Sequence, residues 1–210
     1  MACWQTQPEC WRYITMLELR IGNLRFCLGF SFFLLVTVIC RWQAGPMLLL
    51  TFLAILLHEL GHLLAMLTKN ISVKSINFTV FGVHIVRFES HSAAAASLIW
   101  VYLAGPLTNL LLALLCISLE RGEGLRYFGS VNLLLGLLHL LPAGNLDGAC
   151  ALRELLDLLL PGRWVRLAAG SISMLVLLGM IPVMWKMAGV ISPTAMLLWA
   201  YLLMATFREY

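Results

Sequence analysis

Apolar residues occur along this chain in long runs rather than in stripes. The first covers residues 26–40, bracketed by Arg25 and Arg41, and is short for a bilayer span unless Trp42 extends it to the interface. Runs over 44–68, 93–119, 128–141, 167–185 and 193–207 follow. Between the second and third runs the period changes to two. Ile76, Phe78 and Val80 alternate with Asn77 and Thr79, and Val83 and Ile85 come after Gly82. That pattern reads as a β-hairpin or a pair of short strands, serving either as an edge for an extended peptide or as a structural loop. The pattern as a whole predicts an all-α polytopic membrane protein, with about six transmembrane helices and a small β-hairpin or sheet inserted after the second.

Two interruptions stand out. Gly105-Pro106 falls inside the third run, where proline removes a helix hydrogen bond and predicts a kink, with Asn109 buried beside it. The fourth run contains Asn132 and His139, ends at Pro142 and gives way to the turn-rich stretch Ala143-Gly144-Asn145-Leu146-Asp147-Gly148. A break of this kind at membrane depth is tolerated where it lines a cavity or packs on protein. Residues 149–160 then read as an amphipathic helix with Arg153, Glu154 and Asp157 on one side, stopped by Pro161-Gly162. The last two runs hold no ionisable residue in their apolar cores, which assigns them to packing.

Composition supports the membrane reading. Of 210 residues, 61% are hydrophobic and 11% charged, whereas a soluble domain has about 25% charged residues. We read one membrane-embedded domain over 1–210, with 1–20 as an N-terminal cytoplasmic segment, Met16 as an alternative start, and no PDZ or C-terminal soluble domain. The net charge of +4 comes from scattered basic residues, so nucleic acid is not an expected partner. The six cysteines form no C-x-x-C pair, and Cys27, Cys40 and Cys116 lie in apolar runs as small packing residues. Six spans with both termini cytoplasmic put ten of the fourteen basic residues inside. Arg41, Arg121, Arg126 and Lys186 fall outside, so the positive-inside rule favours this orientation for a multi-pass cell-membrane protein.

The candidate chemistry sits near the C-terminal end of the second run, in His58-Glu59-Leu60-Gly61-His62. On a helix, His58 and His62 are one turn apart on the same face, so both imidazoles can bind one metal ion. Glu59 is placed to take a proton from water rather than to bind the metal. Three ionisable groups within an apolar run are costly unless they have partners. A catalytic zinc needs a third protein ligand, and Asp147, His139, Cys150 and Glu154 are the candidates from distant segments. Asp147 can alternatively be read as an N-cap, His139 as a satisfied core histidine and Cys150 as a packing residue.

Taken in order, His58-Glu59-Leu60-Gly61-His62, Gly105-Pro106-Leu107-Thr108-Asn109, and Leu140-Leu141-Pro142 with Leu146-Asp147-Gly148 resemble the site-2 proteases. These are zinc-dependent intramembrane metalloproteases. The likeness spans residues 53–148, nearly half of the 210. The layout looks most like the group containing stage IV sporulation protein FB, which cleaves a membrane-tethered sigma-factor precursor. The resemblance implies one zinc per chain, Asp147 as third ligand beside His58 and His62, and Glu59 as catalytic base. It also implies that Asn109 holds the substrate or the reacting carbonyl. The partners implied are a membrane-protein substrate, a sigma-factor precursor in a sporulation-type pathway, regulatory membrane proteins and the bilayer. The chain departs from the family's usual asparagine at His139, proline at Asn145 and glycine at Ala149. The rival functions are a membrane metal transporter, which lacks a second set of ionisable residues along an exit path, and a non-catalytic scaffold, which has no use for Glu59 beside a metal site.

Overall fold

The computed structural model describes residues 15–21, 24–29, 45–71, 73–79, 82–87, 94–119, 122–144, 146–186 and 193–209. Strands β1 (Thr15–Ile21) and β2 (Leu24–Gly29) come first, followed by helix α1 (Pro46–Thr68). Strands β3 (Val73–Thr79) and β4 (Gly82–Arg87) follow, then helices α2 (Ala95–Leu119) and α3 (Gly122–His139). Helices α4 (Asp147–Leu159), α5 (Gly162–Lys186) and α6 (Pro193–Glu209) complete the chain.

The strands form one sheet in the order β1-β2-β3-β4. The β3–β4 pair is antiparallel, with Ile76 opposite Ile85 and Phe78 opposite Val83, in the stretch where residues alternate with period two. β1 and β2 form a second antiparallel pair, and β2 runs parallel to β3 with Phe26 opposite Ile76. This corrects the reading of residues 26–40 as a span from its first residue, because Phe26–Gly29 belong to β2. Phe26, Cys27 and Leu28 suit a strand as well as a helix, and composition alone could not separate the two. The remainder of that run, residues 30–44, lies outside the described residues, as does Asn145.

Three helices among the described residues are long and apolar enough to cross a membrane: α1, α2 and residues Gly162–Pro182 of α5. α3 begins at Gly122, ahead of the apolar run 128–141, and carries Glu123 in its first turn. α6 has 17 residues. α2 continues through Pro106 without a break in the helix.

α1 shows why these helices suit lipid. Its buried residues are Ala54, His58, Gly61, His62, Ala65 and Met66. Its outward face carries Leu53, Leu56, Leu60, Leu64 and Leu67, all exposed. Histidines inside and leucines outside would be costly in water, but this arrangement satisfies both groups when the surroundings are hydrocarbon.

α1 and α2 run antiparallel. Ala65 and Met66 cluster with Leu98, Val101 and Tyr102 at one end, while Ala54 packs with Cys116 and Phe128 at the other. A Cβ on Gly61 would crowd Thr108 and the Ala104 carbonyl, so Gly61 marks their crossing. α3 lies antiparallel to α2 by the same device, with Gly129 on Cys116 and Gly136 on Leu110 and the Pro106 carbonyl. Small residues permit this close backbone approach between membrane helices. α5 and α6 meet the 140–146 break through Ala143, Leu177 and Leu202.

Candidate metal centre

Helix α1 places His58 and His62 one turn apart on its buried face, 3% and 1% exposed. The neighbour of His62 across the crossing is Gly105, whose Cβ would collide with the ring. His62 Nδ1–H donates to the Val101 carbonyl at 2.7 Å, which leaves its Nε2 with a bare lone pair in the neutral tautomer. That Nε2 lies 3.2 Å from His58 Nε2.

Asp147 arrives from the other side of the bundle. Gly148 packs so tightly on the Leu140 and Leu141 carbonyls that no Cβ fits, and this folds the chain back after α3. The break is also tied to α6, where Thr206 Oγ1 accepts from Gly144 N–H at 2.9 Å. Asp147 is the first residue of α4, and the N-cap is Leu146, without a side-chain cap bond, so Asp147 is not an N-cap. Its Oδ2 lies 3.2 Å from His58 Nε2 and 3.4 Å from His62 Nε2.

Three Lewis-basic atoms thus converge with separations of 3.2, 3.2 and 3.4 Å. Tetrahedral ligands at zinc's usual distances of 2.0–2.1 Å are about 3.3–3.4 Å apart. The triangle therefore fits three ligands of a tetrahedral zinc. Glu59 Oε2 is buried without a hydrogen-bond partner among the described residues, beside the triangle rather than in it. An orphaned carboxylate oxygen at this place fits a group that takes up a proton from water.

Of the other candidates, His139 stays at the site, and Cys150 and Glu154 do not join it. His139 Nδ1 is 2.8 Å from Asp147 Oδ2, and His58, His139 and Asp147 offer ligand atoms within 4.8 Å of one another. Cys150 is disulfide-bonded and buried in the cluster of Met66, Val101 and Tyr102, so it offers no thiolate. Glu154 is two turns along α4 from Asp147 and outside the His58, His139 and Asp147 group. Asn109 is fully buried, one turn beyond Gly105 on α2, and both its amide atoms lack partners among the described residues. The antiparallel register brings it level with His58. Asn132 on α3 is buried too, with Nδ2–H donating to the Phe128 carbonyl and Oδ1 unpartnered among the described residues. Sequence reasoning missed the Val101 carbonyl, which no side-chain pattern reveals, and the direct contact of Gly105 with His62.

Residues 46–120 match the model of peptidase family M50. That match takes in α1 and α2, hence His58, Glu59, His62, Gly105 and Asn109, and stops before Asp147. Over 150 residues, 60% of the chain, it is 29% identical to the "Putative zinc metalloprotease sll0528" of Synechocystis sp.. The chain spans 39% of that relative's length. Among solved structures it shares the fold of the Site-2 Protease from Methanocaldococcus jannaschii, with a TM-score of 0.60 and 19% identity. That likeness covers 92% of this chain and 94% of the archaeal one.

Proposed function

We propose that this chain is a zinc-dependent intramembrane endopeptidase of the site-2 type, with His58, His62 and Asp147 as ligands of one zinc. The observation that carries the reading is the triangle of His58 Nε2, His62 Nε2 and Asp147 Oδ2 at tetrahedral spacing on the inward face of a lipid-length helix. Zinc held there supplies a Lewis acid for a peptide carbonyl and lowers the pKa of water.

The chain's own residues do the rest. Glu59 takes a proton from the attacking water and passes it to the amide nitrogen as the C–N bond breaks, leaving a carboxylate and an amine. Asn109, buried and with both amide atoms available, holds the reacting carbonyl or the adjacent backbone of the substrate. The leucines of α1 and α2 keep bulk water out. A helical substrate hides its carbonyls in hydrogen bonds and must unwind, and the β4 edge of the sheet offers pairing for an extended segment.

The substrate class is a membrane-tethered protein cleaved in or near its transmembrane segment. The narrower reading, a sigma-factor precursor in a sporulation-type pathway with regulatory membrane partners, rests on the three motifs and on the six spans expected from the apolar runs. Both termini are cytoplasmic in this reading, and the metal site opens toward that side. The test is co-expression with candidate single-span membrane proteins, scored for shortened products. Products that appear with wild type and not with Glu59→Gln support the reading. Products that appear equally with both contradict it.

A further inference from the structure

Histidine stands at position 139 where the site-2 resemblance expects asparagine, and its ring touches two of the three residues of the triangle. Nδ1 is 2.8 Å from Asp147 Oδ2, and the ring meets His58 edge-on with centroids 4.4 Å apart at 62°. A carboxylate only accepts, so Nδ1–H donates and carries no lone pair for a metal. The 2.8 Å separation is also a hydrogen-bond length, shorter than the spacing of about 3.3 Å between neighbouring zinc ligands. The two residues belong to the last turn of α3 and the first turn of α4, so this bond closes the 140–146 break from end to end.

His58 needs such a neighbour. Metal-binding histidines ordinarily donate their second ring nitrogen to a carbonyl or carboxylate, as His62 does to Val101. His58 Nδ1 is buried with no hydrogen-bond partner among the described residues. What fixes its ring is packing, with His62 at 4.8 Å on one side and His139 at 4.4 Å on the other.

We propose that His139 is a positioning residue that orients two zinc ligands at once, Asp147 by the Nδ1–H bond and His58 by ring contact. This inference rests on the zinc reading of the site. It assigns the departure at 139 a role: an asparagine side chain can supply the donor for Asp147, whereas only a ring also braces His58. Loss of the donor to a ligating carboxylate weakens metal binding about 10–100-fold in sites of this kind.

The experiment measures zinc affinity of the purified full chain by competition with a chelator, for wild type, His139→Leu, His139→Asn and Glu59→Gln. The expected result is wild-type affinity in Glu59→Gln, a loss of about 10–100-fold in His139→Leu, and recovery to within about tenfold of wild type in His139→Asn. A leucine variant that binds as tightly as wild type overturns the inference alone. A wild-type chain that binds no zinc overturns the site reading and this step together. Cobalt(II) absorption provides a second measurement that does not depend on the leucine variant folding. Wild type and His139→Asn should show the same four-coordinate bands, and a change in the spectrum that signals a lost nitrogen ligand would make His139 a ligand and overturn the positioning role.

Discussion

Gly105 lies directly against the His62 imidazole, so close that a Cβ on Gly105 would overlap Nε2, Cε1 and Cδ2 of the ring. The ligand's position is therefore set by a residue with no side chain, on another helix. Gly105→Ala should push His62 off the Val101 carbonyl and out of the metal triangle, weakening zinc binding more than tenfold. Gly124→Ala, whose Cβ would meet only Leu50 at 3.7 Å, is the control and should leave the metal in place. Metal analysis of the two purified variants decides the matter, and equal zinc in both would contradict the contact.

Glu59 stands beside the triangle with an unpartnered carboxylate oxygen among the described residues. Glu59→Gln keeps the size and removes the base. It should retain one zinc per chain while cleavage falls by about 10²–10⁴-fold, the usual contribution of a positioned general base. Cleavage close to wild type in the zinc-loaded variant would remove Glu59 from that role.

Thr206 links the last helix to the site by accepting from Gly144 N–H and donating to the Leu202 carbonyl. Thr206→Val keeps the volume but leaves a buried N–H unpaired, at a cost of about 1–3 kcal/mol. A denaturation series in detergent should show that loss, together with weaker zinc binding because Asp147 follows the same break. Unchanged stability and metal affinity would show that α6 does not support the site.

Some of this was legible in the sequence, and the divide is physical. His58, Glu59 and His62 announce themselves because charge within an apolar run needs a reason, and one helical turn puts both rings on one face. Gly82 and the alternation about it mark the β3–β4 region too, because period two is the repeat of a pleated strand and not of a helix. β2 was not legible, because Phe26, Cys27 and Leu28 read equally well as the start of a span. Asp147 is named as third ligand by the resemblance and by the turn-rich break around it, whereas residue spacing alone leaves His139 open as well. The positions of their atoms were beyond local pattern, because they depend on Gly148 packing against Leu140, a contact between residues on the two sides of a turn, and on which atom of each side chain faces His58. The hydrogen bond between His139 and Asp147 turns two rival ligands into partners, an outcome that spacing alone does not suggest.

If the six apolar runs of the sequence are all spans, ten of the fourteen basic residues fall on one side, and this motivates a topology prediction. Cysteines introduced at Glu123 and Arg163, with native thiols blocked, should differ in access. An impermeant reagent added outside should label position 123 and spare 163. Labelling of 163 without 123 would invert the orientation.

If His58, His62 and Asp147 hold the zinc, the metal content of two single variants will show it. Asp147→Asn keeps the shape of the side chain and removes the charge that offsets the cation, whereas His139→Asn keeps a donor for Asp147. The expected result is about one zinc per chain in wild type, severe loss in Asp147→Asn and near-complete retention in His139→Asn. Zinc retained in Asp147→Asn and lost in His139→Asn would overturn the ligand assignment.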